Sequence, residues 1–468
     1  MISSPGSASA AADARVPGAH RVLALLTLAN FMNFYDRTVP AIVVEPIKAE
    51  FGLGDGHIGA VTSAFTVVYA LAGIALGRVA DRGSRRRVMA GGLVVWSLFT
   101  AVSGGAWSFA ALLLFRLGVG IGEASYAPAA NAMIFDVFPP GRRARAIGVF
   151  QLGIPVGLLA AFLSVGWIVE ATGSWRVPFL LAAVPGFVLA ALMLTLPEPR
   201  RDAAGRAAAP PLRQAVRSIL AIPTVRRLVL AGVGVQIPAH SMTTFLVPYL
   251  QRHFGLGIGA AAQSAGLVLG LTGIAGLLLG GVAADRAGRR SLPARMTAGA
   301  AGVALSAPLT LAALLADATA VTAFLTLFAA GWLFHYFFIT TALPAIADVV
   351  EPHLRATAVA VYYASFYLLG GAFGPIVTGA LSDRFTAIVP AASAAAADAA
   401  GLHYALLVVV PVFLLLGALA LWTAGRTITT DHTRMLARTT VSDRPARDVA
   451  GRGEAELDRP APGPPVSG

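Results

Sequence analysis

The sequence predicts an all-α membrane protein: 12 transmembrane helices arranged as two six-helix pseudo-repeats. Three observations predict it. The chain of 468 residues is 57% hydrophobic and only 12% charged, with a mean hydropathy of +0.74. Soluble domains carry roughly 25% charged residues, so this chain holds half the charge needed to clothe a soluble body. Its apolar residues, about 267 by count, fall in long continuous runs, and one bilayer crossing takes about 20. The chain also repeats itself at shifts of 204 and 212 residues.

The elements follow in order. Residues 1–20 are small and polar, lack the apolar core of a signal peptide, and read as a disordered tail. Apolar stretches follow at 21–44, 57–80, 88–104, 108–135, 144–168 and 177–196, which form the N-terminal six-helix bundle, 21–196. Residues 197–227 are polar and read as a linker. The stretches at 228–250, 262–284, 296–315, 319–346, 355–381 and 402–424 form the C-terminal bundle, 228–424. Residues 425–468 are polar, bear proline and arginine, and read as a second disordered tail. Spans of a β-barrel would alternate over about ten residues rather than run apolar throughout.

The net charge of +12 would suggest a nucleic-acid partner in a soluble chain. Here the arginines sit in short loops, so the expected partner is the lipid bilayer and not nucleic acid. The loops after spans 2, 4, 8 and 10 and the linker carry most of them, while the odd loops hold only Lys48, Arg176, Arg252 and Arg384. That asymmetry predicts both termini in the cytoplasm. Lys48 is the sole lysine, and arginine with abundant alanine fits a GC-rich bacterial coding sequence. The chain has no cysteine, which excludes disulfides and thiolate metal sites. No phosphate-binding loop, zinc motif or nucleophile elbow is present. No metal, cofactor or enzymatic activity is expected. The run Gly118–Glu123 (GVGIGE) follows no strand and lies inside a span, so it is no nucleotide site.

The repeat is specific. GRVADRGSRR at 77–86 returns as GVAADRAGRR at 281–290, so Gly77, Asp81, Arg82, Arg85 and Arg86 recur as Gly281, Asp285, Arg286, Arg289 and Arg290. Ile134, Asp136, Pro140 and Arg143 recur as Ile346, Asp348, Pro352 and Arg355. Parallel repeats about an axis along the membrane normal mark secondary transporters, with the substrate site between them.

The two G-x-x-x-D-R-x-x-R-R loops resemble the signature loop of the major facilitator superfamily. NFYDRTV at 33–39, EPIKAEFGL at 45–53 and RLGVGIGEA at 116–124 resemble its spinster-like branch. The resemblance implies the major facilitator fold, a central cavity lined by helices 1, 4, 7 and 10, and a lysolipid or sphingoid-like substrate. The text at 153–157 (GIPVG) departs from the Gly-Pro motif of antiporters in the superfamily.

Charges inside spans carry the functional reading. Asp36 and Arg37 lie deep in span 1, and Arg116 and Glu123 lie two turns apart on one face of span 4. An ion in hydrocarbon costs about 2.5–3.5 kcal/mol on insertion scales, so these groups face a cavity and one another. They either lock the bundle as a structural salt-bridge cluster or do chemistry. In the second case Asp36 and Glu123 exchange protons, and Arg37 and Arg116 hold an anionic headgroup or the deprotonated acid. Asn33 and Tyr35 share that stretch of span 1. The second half offers Gln236, His240 and Thr243, then His335, Tyr336 and Thr340, then Tyr367. His240 and His335 are either interhelical hydrogen bonders or proton carriers. The loop residues, with Arg143 and Arg355, form a conformational gate if their ion pairs break in one state, or a plain positive-inside anchor if they do not.

The expected protein is a monomeric, proton-coupled, alternating-access transporter of the bacterial cytoplasmic membrane, moving an amphiphile. The rival is a permease or exporter of a small organic anion, sugar or drug on the same fold.

Overall fold

The computed structural model describes residues 18–198 and 212–438, and every regular element among them is helical. Eleven segments are long and apolar enough to cross a membrane. The twelfth is span 1, Ala19–Ile42, whose 24 residues rise about 36 Å. Asn30, Asn33, Asp36 and Arg37 dilute its hydropathy. Span 2 is Asp55–Arg82, span 3 Arg85–Gly104, span 6 Val177–Leu194, span 7 Pro223–Phe254, span 8 Ile258–Gly288, span 9 Leu292–Leu314 and span 12 Ala394–Gly425.

The remaining four spans are broken, and the breaks obey the repeat. Span 4 divides into Phe109–Ala124 and Tyr126–Val137, and span 10 into Val321–His335 and Phe337–Val349. Span 5 divides into Pro140–Gln151 and Gly153–Thr172. Span 11 runs Arg355–Phe366, loosens into a π-helical turn at Tyr367–Gly371, and resumes as Phe373–Ile388. Serines at the starts of spans 3, 4, 9 and 12 (Ser84, Ser108, Ser291, Ser393) accept a backbone N–H from the first turn. The outer faces expose large apolar side chains, among them Leu71, Leu114, Trp167, Leu230 and Leu278, as a lipid-facing belt requires.

Each half packs on itself, span 1 on span 5 and span 7 on span 12. The halves meet chiefly through two pairs of helices, span 2 with span 11 and span 5 with span 8, with a smaller contact of span 1 on span 7. Their closest approaches lie at the end away from the linker, here the far face. A Cβ on Gly59 would overlap the Pro375 carbonyl, and one on Gly166 would come within 2.9 Å of Gly259 Cα. Toward the linker face the glycines of span 8 turn inward, Gly273 and Gly276 lying against Tyr336 and Leu333 of their own half. The cleft between the halves is therefore closed at the far face and widens toward the linker.

Two expected boundaries need correction. The linker 197–227 ends earlier than expected, since span 7 starts at Pro223, and it carries a helix of its own, Leu212–Ala221. Residues 199–211 lie outside the described ones. The tail 425–468 is not disordered throughout, because 428–438 are helical. Ile428 is fully buried, and Asp431 accepts from Thr224 N at 2.9 Å and Thr224 Oγ1 at 2.7 Å, capping the start of span 7. His432 Nδ1 meets the Asp348 carbonyl at the end of span 10 at 2.6 Å. The segment looks polar because its partners lie far away in sequence. Residues 1–17 and 439–468 lie outside the described ones.

Candidate functional site

Span 1 and span 4 cross where both carry charge. Asp36, Arg116 and Glu123 are 0%, 3% and 1% exposed. Arg37 Nε donates to Glu123 Oε2 at 2.5 Å. Asn33 turns toward Glu123, and Arg116 lies within electrostatic reach of both Glu123 and Asp36. Two carboxyls and two guanidiniums thus share one pocket, so the ionised cluster sums to zero. It is not saturated. Both Asp36 oxygens face Trp96 and Thr100 of span 3 without closing a hydrogen bond, and Glu123 Oε1, Arg37 Nη2 and Arg116 Nη1 are also buried without a partner. A partly satisfied buried network is costly, and its spare capacity suits a proton or an anion.

Across the cleft, His240 of span 7 and Tyr367 of the π turn lie within electrostatic reach of Arg37, their rings edge-on at 5.7 Å. His335 lies within reach of His240 and stacks on Trp332 at 4.6 Å. Gln236 lies beside Gly370 at the start of the same cleft wall. One wall is therefore ionic and the other aromatic and weakly polar. Four expected residues bond or pack elsewhere. Tyr35 pairs with Ser164 of span 5 at 2.8 Å. Thr243 donates to the Ala239 carbonyl at 2.8 Å, and Thr340 to the Phe337 carbonyl at 3.1 Å. Tyr336, like Thr340, packs against glycines of span 8.

The far face holds a seam of ion pairs between the halves. Asp55, at the start of span 2, accepts from Lys48 at 2.7 Å, from both Arg252 amino groups at 2.7 and 2.8 Å, and from Ser382 at 2.7 Å. Arg252 also reaches Glu45 at 2.6 Å, and Lys48 reaches Asp398 at 3.3 Å. Two carboxylates cap helices of the opposite half. Asp383 of span 11 accepts from Asp55 N and Gly56 N at 2.7 and 2.9 Å, and Glu170 of span 5 accepts from Gly259 N at 2.8 Å. A carboxylate at a helix N-terminus meets the positive end of the helix dipole. These two caps are related by the repeat. Beside the seam, hydrogen bonds from Arg176 and Trp175 hold the Glu50 carboxyl down to about 2.

A family model described as Major Facilitator Superfamily matches residues 26–375. The chain belongs to this superfamily. An MFS-type efflux pump of Mycolicibacterium smegmatis is 32% identical over 409 residues, covering 86% of this chain and 91% of that one. Protein spinster homolog 1 of Bos taurus is 32% identical over 387 residues, 78% and 73% respectively. A crystal structure of a bacterial homolog of the human lysosomal transporter Spinster, inward-facing and unoccupied, superimposes with a TM-score of 0.79 at 29% identity, covering 89% of this chain and 99% of that one. The protein is thus a spinster-like major facilitator transporter, embedded in a membrane by multiple spans, and not an enzyme.

At the linker face of this transporter, every ion pair among the described residues stays within one half. Arg85 pairs with Asp136 and donates to the Ala132 carbonyl, and Arg86 donates to the Leu196 carbonyl at 3.0 Å. Arg295 pairs with Asp348, the repeat mate of Asp136. Arg143 donates to the Phe138 carbonyl at 3.0 Å, and Arg355 to the Val350 carbonyl at 3.3 Å, again 212 residues on. The side chains of Gly77, Asp81 and Arg82 lie outside the described ones. In the second half, beside Gly281, Asp285, Arg286 and Arg289 form no ion pair among the described residues in this conformation. Arg295, one turn into span 9, takes the acid on span 10 instead.

Sequence reasoning missed the far-face seam. Its signal was present, since Lys48 and Arg252 were exceptions to the positive-inside asymmetry and Asp55 follows Lys48 closely. It also missed Phe65 and Tyr69 of span 2, aromatic residues one turn apart beside Arg37.

Proposed function

We propose that this transporter is proton-coupled and moves an amphiphile with an anionic head and a hydrocarbon tail, a lysolipid or sphingoid-like molecule, by alternating access. The observation that supports this reading best is the division of the cleft into an ionic wall on spans 1 and 4 and an aromatic wall on spans 7, 10 and 11. Asp36 and Glu123 carry the proton. Arg37 and Arg116 hold the headgroup, or the free carboxylate when no substrate is bound. His240, His335 and Tyr367 border the tail. The protein works as a monomer in the bacterial cytoplasmic membrane, with termini and linker in the cytoplasm. The conformation described is then inward-facing. Asp81, Arg82, Arg85, Arg86 and their mates Asp285, Arg286 and Arg289 close the linker face when the far-face seam opens.

The test is flux of a fluorescent lysophosphatidylglycerol in proteoliposomes with and without a pH gradient. Asp36→Asn and Glu123→Gln fold and insert but lose gradient-driven flux. Wild-type rates in both variants would overturn the proton role. Similarity to an efflux pump favours a second reading, export of a small organic anion, sugar or drug. Gradient-driven flux of such a solute, with none of the lysolipid, selects it.

A further inference from the structure

Span 2 presents two rings to the charge cluster. Phe65 and Tyr69 stack with centroids 6.2 Å apart and 16° between planes. The Arg37 guanidinium carbon lies 4.1 Å from the Tyr69 centroid, 5.4 Å from Phe65 and 5.2 Å from Phe34. The Arg116 guanidinium carbon lies 5.2 Å from the Phe65 centroid. Gly120 of span 4 makes the room, since a Cβ there would press on the Phe65 ring at 3.3 Å.

A guanidinium is weakly hydrated on its faces and hydrogen-bonds only in its plane. A ring face therefore replaces water over the cation while leaving the edges free. Here Arg37 binds Glu123 through Nε on its side edge, and Nη2, which the side edge shares with the terminal Nη1–Nη2 edge, is buried and unpartnered. Phe65 thus has both guanidinium carbons within 5.4 Å of its ring centroid.

We propose that Phe65 and Tyr69 are positioning residues: their stacked faces fix the plane of the Arg37 guanidinium so that one edge holds Glu123 and the other is presented to an anionic group of the substrate. The positioning stands on the geometry alone, and the anionic substrate rests on the function proposed above. Without the rings the guanidinium turns out into the cleft, Glu123 loses its cation and the headgroup loses its partner. The competing account is a polar contact from the Tyr69 hydroxyl, which also lies within reach of Arg37.

Two measurements decide. Dicyclohexylcarbodiimide modifies carboxyls in apolar surroundings that lack a cation, and mass spectrometry reads the adduct on Glu123. Tyr69→Leu and Phe65→Leu raise labelling at pH 7 by roughly five- to tenfold, the size of a partly desolvated cation–π contact, and displace its pH profile. Tyr69→Phe keeps the ring face and stays within about twofold of wild type on the same scale. In proteoliposomes the Leu variants raise KM for lysophosphatidylglycerol by the same factor, whereas Tyr69→Phe keeps it within about twofold of wild type. Wild-type labelling in both Leu variants overturns the proposal, as does Tyr69→Phe labelling as strongly as Tyr69→Leu. If Tyr69→Leu is not recovered as monodisperse protein, Phe65→Leu carries the same prediction. If wild-type protein moves no lysophosphatidylglycerol, the substrate reading falls while the labelling still decides the positioning.

Discussion

Cutting the far-face seam should shift the transporter toward the state open on that face. Arg252→Ala is the decisive perturbation. Arg252 supplies two of the four side-chain hydrogen bonds to Asp55, which is 2% exposed, and the cation that joins the halves. Removing one member of a buried pair costs about 3–5 kcal/mol where the other charge is left uncompensated; Lys48 and Ser382 still hold Asp55, so the low end applies. At about 1.4 kcal/mol per tenfold, the closed state loses about two orders of magnitude relative to the open one. Asp383→Asn is milder, since an amide oxygen still accepts one of the two N–H groups at the start of span 2. It should shift the balance by roughly tenfold, the value of one charge-assisted hydrogen bond. Gly59→Val acts by bulk, because its side chain overlaps the Pro375 carbonyl only when the halves are closed. The chain has no cysteine, so Thr172→Cys at the exposed end of span 5 with Ala318→Cys in the exposed turn after span 9 places spin labels on the far face of the two halves without background. Double electron–electron resonance should show a longer distance appearing in Arg252→Ala and Gly59→Val, and partly in Asp383→Asn. Distributions in Arg252→Ala that overlay the parent would refute the argument that these pairs hold the halves together.

Two further outcomes concern stability. Glu50, with its carboxyl held at about 2 against an ordinary 4.5, favours the folded state above pH 4.5, and that advantage fades as pH falls through 2. Thermal unfolding in detergent should therefore show Glu50→Gln less stable than wild type at pH 6 and indistinguishable at pH 2; a gap that ignores pH would count against the Arg176 clamp. Asp431→Ala removes the buried cap on span 7 and should cost about 1–2 kcal/mol, seen as a lower Tm and faster proteolysis within 428–438. Unchanged Tm and cleavage would mean that the docked helix contributes nothing to the C-terminal half.

The spans, the duplication and the charged residues of spans 1 and 4 were legible in the sequence because each is a local or periodic property. A bilayer demands about 20 apolar residues in a row, and an ion inside such a run stands out whatever the fold. The structure carries the repeat down to single hydrogen bonds, as Arg143 and Arg355 show. The helical start of the polar tail was not legible because Asp431 finds its partner, Thr224, two hundred residues away, beyond any window of composition. The cluster's wiring was likewise hidden. Sequence placed Arg37 and Glu123 inside the membrane, but only the crossing of spans 1 and 4 chose Arg37 over Arg116 as the donor to Glu123. Only the rings of span 2 chose which edge of Arg37 stays free. Which face is closed was not local either, since the same chain can close on either side. Tertiary structure decided it by carrying Arg252 and Asp383 to Asp55, pairs that exist only when the two halves meet at one end.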